Sequence, residues 1–386
     1  MRRFAVVGKQ PKSVDQPLID SLARHALVPD EDGVPPEVEY GWSGGRHLLD
    51  HQFEFERNVF NDAICFALRV DTNRVPAELR QAYKIMEEEA IAASNPSGFI
   101  SKKQKASAKE TIAHKLDKEL RTGKFRRGKL SPVLWDLPTA TVYSPAAGPA
   151  AEKLKELFER SFSLELQPLS AGSIALRTLE AGKQRRDYED LRPTRFVMGS
   201  DGESQHPEYP WAAKGPQPKD FLGNEFLLWL WHEADYHDGE IKTESGEVTI
   251  FIDKSLDLDC AYGQTGRDSL RGDGPTRMPE AKDALRTGKL PRKAGMILDV
   301  SRQQFSFTLN AVSFAVTAAR LPAVDDAETP RVLFEERIGL MRDLWKAVDS
   351  LYQTYHDRRC GGGWESQTSA IRKWILQTAK PVVAVA

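Results

Sequence analysis

The chain has 386 residues, 54 Lys and Arg against 56 Asp and Glu, and a formal charge of −2. With 40% hydrophobic and 28% charged residues it has the composition of a folded globular protein rather than a disordered one, and its length suggests two or three domains. Its densest apolar run, Phe226-Leu227-Leu228-Trp229-Leu230-Trp231, stops at His232-Glu233, well short of the roughly 18 residues a membrane span needs. The stretch after Met1-Arg2-Arg3 is too short for a signal peptide, so cytoplasmic residence is the expectation.

Phe4–Gly8 reads as a short buried strand. Asp15 is placed to cap a helix through about Leu27, with Pro17 in its first turn. Residues 31–45 read as a Pro- and Gly-rich loop containing Gly41-Trp42. Gln52–Glu56 and Ile64–Val70 read as strands joined by a turn near Asn61-Asp62. Pro76 opens a helix to about Ala93, with Leu79, Tyr83, Met86 and Ala90 on one face and Glu87, Glu88 and Glu89 on the other side, and Asn95-Pro96-Ser97-Gly98 breaks it. Ser101 then caps a second helix to about Leu120. Val133–Tyr143 is strand-like, Pro149–Phe162 helical and Ser163–Leu169 a strand.

A polar, Pro-rich segment from Lys183 to about Asp220 reads as an insertion or linker. Phe221–Tyr236 follows as a helix, Gly239–Thr243 and Glu247–Asp253 as a hairpin, and Leu256–Ala261 as a further strand. Met278–Thr287 is a helix closed by Gly288, and Gly295–Ser301 with Phe305–Asn310 a strand pair turning near Arg302-Gln303. Val332–His356 and Trp364–Thr378 close the chain as helices hinged at Gly361-Gly362-Gly363. The fold class is α+β with mostly antiparallel sheets and long helices. The expected organisation is an N-terminal α+β region (1–175) with a basic helix and finger loop, a linker or insertion (176–220), a second α+β region (221–325) and a C-terminal helical region (326–386).

Near-neutrality hides a segregation of charge. Lys102 to Lys129 holds eleven basic residues against Glu110, Asp117 and Glu119, a local charge of +8 that leaves −10 for the rest. Such asymmetry is the electrostatic footprint of a polyanion-binding surface, although a Lys-rich helix can also be a merely solvated face. Ile112, Leu116 and Leu120 form an apolar stripe, and Lys102, Lys105 and Lys109 lie on nearly the same stripe one to three turns earlier. One face cannot be buried in one half and charged in the other, so the first turns are expected to extend beyond the core. Past the helix, Gly123-Lys124-Phe125-Arg126-Arg127-Gly128-Lys129 presents an aromatic among cations, as a phosphate-contacting loop with a stacking or wedging ring would.

The order of these segments resembles the recombination-associated protein RdgC family, bacterial DNA-binding proteins linked to control of RecA. The residues that carry it are Gly41-Trp42, Ala63–Arg69 leading to Arg74-Val75-Pro76 and its helix, the Lys-rich helix, the Lys124-Phe125-Arg126 loop, Trp135 and Pro168-Leu169. Met278–Lys289 followed by Ile297-Leu298-Asp299-Val300 resembles a later part of the family pattern. The resemblance implies a horseshoe-shaped monomer, a ring-shaped homodimer and binding of double-stranded DNA without sequence preference. It also implies nucleoid association, no cofactor, no catalysis, and modulation of homologous recombination by covering duplex DNA. Lys102, Lys103, Lys105, Lys109, Lys124, Arg126, Arg127 and Lys129 would then meet phosphates, with Arg271 and Arg277 as further candidates and Phe125 as the wedging ring. Where the family has a basic pair in the loop before the Met278 helix, this chain has Arg271-Gly272-Asp273-Gly274.

Two alternatives stand beside this reading. A metal-dependent nuclease needs clustered carboxylates, for which Glu240-Ile241-Lys242 with Asp235 and Asp253 are the candidates, although an ordinary charged hairpin edge is the simpler explanation of them. A protein-interaction scaffold would turn the basic segment toward an acidic protein. His47 with His51, His232 with His237, and Cys360 before its glycines have the residue types but not the partners of a metal or nucleophile site, and Cys65, Cys260 and Cys360 form no CxxC pair. No metal is expected.

Overall fold

The computed structural model of the chain describes residues 1–28, 33–96, 98–197, 219–236, 238–262 and 265–377. Contacts divide it into two compact units, one of Val6–Leu166 (the N-terminal unit) and one of Met1–Ala5 with Gln167–Ala386 (the C-terminal unit). It is a mixed α+β protein, and every strand pair with a resolved register is antiparallel.

The first sheet contains β1 (Arg2–Val7), β2 (Val38–Ser43), β3 (Val59–Phe60), β4 (Ala63–Asn73), β5 (Arg126–Asp136), β6 (Thr141–Ser144) and β7 (Glu165–Pro168). Its order is β2-β4-β5-β6-β1-β7, with β3 against β4. Along β2, β4 and β5 the period-2 alternation puts Trp42, Phe66 and Trp135 on one face. There they meet Phe158 and Phe162 of α5 (Pro149–Phe162), with Trp135 4.9 Å from Phe158 and 5.0 Å from Phe162. Trp42 is fully buried, and its indole N–H donates to Ser161 Oγ at 2.8 Å, so this ring is held by packing and by its one polar atom together. Helix α1 (Gln16–Arg24) begins as expected, with Asp15 Oδ1 accepting from the Leu18 N–H at 3.2 Å, and buries Ile19 and Leu22. Gly41 is needed because a Cβ there would lie 2.7 Å from Leu27 N, where residues 25–27 run along β2.

Several local expectations give way to tertiary pairing. Gly41-Trp42 lies in strand β2, not a loop, because β4 offers a partner for every residue from Val38 to Ser43. Phe55–Asn58 is a helical turn (α2) rather than a strand. The expected strand 133–143 is a hairpin, β5 and β6, turned at Ala140 with φ 52°. Between β4 and β5 the chain makes a helical hairpin of α3 (Ala77–Ser94) and α4 (Lys102–Arg121). No residue of α3 is buried, and Met86, on the face of Leu79 and Tyr83 in the sequence pattern, is 61% exposed.

In the C-terminal unit the sheet order is β10-β9-β11-β12-β13 with β8 against β9, formed by β8 (Glu240–Thr243), β9 (Gly246–Cys260), β10 (Arg267–Gly272), β11 (Lys289–Val300), β12 (Gln303–Asn310) and β13 (Val316–Arg320). Ser301 and Arg302 both take positive φ, the two-residue turn that suits the strand twist. The expected strands at 247–253 and 256–261 are one strand, β9, bent at Lys254 (φ 62°), and β10 and β13 had no clear alternation to announce them. Helix α6 (Ala171–Ala181), which was not expected, precedes the polar segment read as insertion or linker; that segment carries α7 (Arg185–Asp190), while residues 198–218 lie outside the described residues.

Helix α8 (Phe221–Tyr236) is buried on every side from Phe221 to Glu233. Its Glu225 is wholly buried and is satisfied by Arg359 at 2.7 Å, the Thr194 backbone N–H at 2.6 Å and Tyr355 at 3.3 Å. Three helices complete this unit: α9 (Pro279–Arg286), α10 (Pro330–Cys360), capped by Thr329, and α11 (Trp364–Leu376). Arg3 joins it through a bidentate pair with Asp349 at 2.6 and 2.7 Å. Among the described residues no helix is long and apolar enough to cross a membrane.

Candidate nucleic-acid interface

Helix α4 starts on a full capping box: Ser101 Oγ accepts from the Gln104 N–H, and the Gln104 side chain accepts from the Ser101 N–H at 3.0 Å. Over 20 residues it is about 30 Å long. Ala108, Ile112 and Leu116 are buried against α3. Near the base, Tyr83 donates to Glu119 at 2.9 Å and Lys115 Nζ sits 4.1 Å above the Tyr83 ring; near the tip, the Asn95 and Gln104 amides exchange hydrogen bonds. Lys102, Lys103, Lys105 and Lys109 are exposed, and among the described residues none of them has an ion-pair partner.

Sequence reasoning missed two cations beside them. A groove of about 820 Å³ between the helices is lined by Arg80 and Lys84 of α3 opposite Lys105 and Lys109 of α4, with Glu88 and Asp117 also on its walls. The signal was present: Arg80 and Lys84 are four residues apart, hence on one helical face.

The junction after α4 differs from the expected projecting finger. Phe125 is 8% exposed, so its ring belongs to the core side of the turn and is not an outward wedge. An aromatic next to a tight turn is drawn inward by the area it can hide. Lys124 pairs with Glu119 at 2.9 Å. That hydrogen bond raises the lysine's pKa and lowers the carboxylate's. Arg126 is the first residue of β5, and its guanidinium is taken up by Glu39 and by Asp71 at 3.0 Å. Asp71 is 2% exposed and also accepts two hydrogen bonds from Arg69, at 2.9 and 2.6 Å. Arg126 thus completes a buried charge network.

Strand alternation sends the next cations to the opposite face. Arg127 and Lys129 are exposed and have no ion-pair partner among the described residues. Read with period 2, Arg126-Arg127-Gly128-Lys129 divides in just this way; as a loop, the four residues could not be sorted.

Arg271 and Arg277 lie in the C-terminal unit. Arg271 pairs with Asp257 at 2.7 Å, and Arg277 is exposed at the end of a 3-10 turn. In the intervening Gly272-Asp273-Gly274 turn, Asp273 pairs with Lys254 and the Gly274 N–H donates to Asp253 at 3.0 Å, a bond that holds the Asp253 carboxyl below its usual range.

The carboxylates weighed for nuclease chemistry are dispersed. Asp235 accepts from the Trp374 indole at 3.0 Å and lies 3.6 Å from Lys282, Asp253 is bound to Gly274, and Glu240 points outward on β8. Among the described residues no group of three or more His, Cys, Asp or Glu side chains converges as metal ligands. His47 and His51 lie outside any helix, and His237 falls outside the described residues. Cys360 Sγ is 3.5 Å from His356 Nε2, but burial pushes its thiol up to about 11, the reverse of an activated nucleophile. Compared with protein-family models and with curated proteins, the chain matches none.

Proposed function

We propose that this protein binds double-stranded DNA without sequence preference, as a homodimer, and modulates homologous recombination by occupying duplex and limiting access to it. The observation that carries the reading is a set of six exposed cations with no carboxylate partner among the described residues: Lys102, Lys103, Lys105 and Lys109 on α4, and Arg127 and Lys129 on β5. Unpaired surface cations keep their full charge for phosphates and release counterions from the duplex when they bind. Their side chains offer point charges rather than a fixed pattern of base-edge contacts, which suits backbone recognition. The resemblance to the RdgC family supports the same reading, including the homodimer and a functional link to RecA. Phe125, Lys124 and Arg126 have no direct part in it, since the first is buried and the other two are paired.

The test is a salt titration of affinity for random-sequence duplexes of about 30 base pairs, with mass read by light scattering. Changing Lys102, Lys103, Lys105 and Lys109 together to Ala should flatten the slope of log affinity against log salt by about four units. An unaltered slope, or no duplex binding by the parent protein at low salt, would overturn the proposal.

A further inference from the structure

The sheet face that carries Arg127 and Lys129 continues into a second set of cations. Tyr40 of β2, Val70 of β4 and Lys129 of β5 stand in one row across three strands. By alternation they face the same side as Trp42, Phe66 and Trp135, and Val38, Thr72 and Arg127 form the next row. Two strand spacings place Tyr40 and Lys129 about 10 Å apart. Over this end of the sheet α5 sends two more cations: Lys153 Nζ lies 4.6 Å and Arg160 Cζ 5.8 Å from the centroid of the Tyr40 ring.

Neither Lys153 nor Arg160 has a carboxylate partner among the described residues. The acid beside them, Glu156, accepts a hydrogen bond from the Tyr40 hydroxyl; burial first, and then this bond, raises that phenol's pKa. At the Tyr40 ring two cations thus stand beside Glu156, which is engaged by the phenol, and Arg127 and Lys129 extend the same sheet face. The ring holds Lys153 and Arg160 by cation–π attraction, which lowers the side-chain entropy that each would lose on meeting an anion.

We propose that Arg127, Lys129, Lys153 and Arg160, with Tyr40 as the positioning residue, form a backbone-phosphate subsite for nucleic acid, separate from the α4 lysines. A duplex carries about one charge per 1.7 Å of axis, so a span of about 10 Å presents about six phosphates to four cations. The Tyr40 ring is engaged by its own cations and is not a base-stacking platform, so the ligand is the backbone and not the bases. The inference rests on the duplex-binding reading and assigns to it residues that the Lys102–Lys129 run does not contain.

The experiment compares three proteins by anisotropy on the same labelled random duplex across a salt series: the parent, Lys153→Ala/Arg160→Ala, and the α4 quadruple Ala variant. Folding of each is checked by circular dichroism. The Lys153/Arg160 double variant is expected to flatten the salt slope by about two units. Tyr40→Phe keeps the ring and should leave the slope at the parent value, whereas Tyr40→Leu should weaken binding several-fold through the freed cations. A double variant with the parent slope, alongside a flattened α4 variant, would overturn the subsite and leave duplex binding standing. No duplex binding by the parent would overturn both. Loss of binding to phosphatidylserine vesicles with an unchanged duplex slope would assign the cations to lipid headgroups and overturn the nucleic-acid subsite.

Discussion

At the scale of single residues, a cation's role here depends on what lies across the strand from it. Arg126 and Arg127 are adjacent in sequence and opposite in function: one closes a network around the 2%-exposed Asp71, and the other faces solvent. Arg126→Ala should therefore lower stability by about 1–3 kcal/mol, since it removes a charged hydrogen-bond partner from a buried carboxylate, while leaving the salt slope of duplex binding where it was. Chemical denaturation and the salt titration on one variant check both halves. Lys282 makes a second residue-scale case. Its Nζ lies 3.5 Å from the Trp374 ring centroid, and burial draws its pKa down from 10.5 to about 8. Between those values the unfolded chain holds a proton that the folded chain has released, so this group makes stability rise with pH from about 8 toward 10. Lys282→Met should lose that increment, and urea midpoints for the two proteins at a series of pH values, compared as a difference, would read it. Parallel midpoint curves would show that the site does not titrate there.

At the scale of elements, the contrast is between α8 and α3. In α8 every residue from Phe221 to Glu233 is buried; in α3 none is, and its polar contacts with α4 are made by Tyr83, with Glu119 and Lys115, and by Asn95 just past its end, with Gln104. Most helical stability in a protein comes from packing an apolar face. Backbone amides of α3 should accordingly exchange with solvent well before those of α8 and α5, which a hydrogen-exchange time course would show. Equal protection in α3 and α8 would contradict this account. The hairpin's weak anchoring matches its composition, because the α4 stripe that buries Ile112 and Leu116 toward its base carries Lys102, Lys105 and Lys109 in its first half. The helices α1, α3, α4, α5, α8 and α9 all lie within a few residues of expectation, whereas β11 begins at Lys289 rather than Gly295 and the capped helix α6 was not expected at all. The other elements that were not legible, β2, α2, β10 and β13, are short or carry mixed patterns, and only their neighbours select their conformation.

At the scale of the whole molecule, net charge is a poor guide to binding. A protein of charge −2 is not drawn to DNA by its overall field, yet in the proposed reading six cations with no carboxylate partner among the described residues would be enough to make association steeply salt-dependent. If all six contact phosphates, affinity for a random duplex should fall roughly a thousand-fold between about 50 and 200 mM salt. A change of only a few-fold would mean that most of them face solvent or a protein in the complex. The Lys153–Tyr40–Arg160 cluster, whose two cations lie 24 and 31 residues beyond Lys129 and whose ring precedes the run in sequence, would steepen the dependence further.

What the sequence by itself determined is the α+β class, the positions of the capped helices, and the placing of excess positive charge on one helix and the strand after it. These follow from local rules of period, cap and composition, which act within a few residues. Tertiary structure alone decided which of those charges remain available. Glu39 and Asp71 reach Arg126 from strands 87 and 55 residues earlier, and Tyr40, beside Glu39 on β2, meets Lys153 and Arg160 of α5. Local sequence rules cannot specify these pairings, because an ion pair or a cation–π contact depends on distances that only the folded sheet sets.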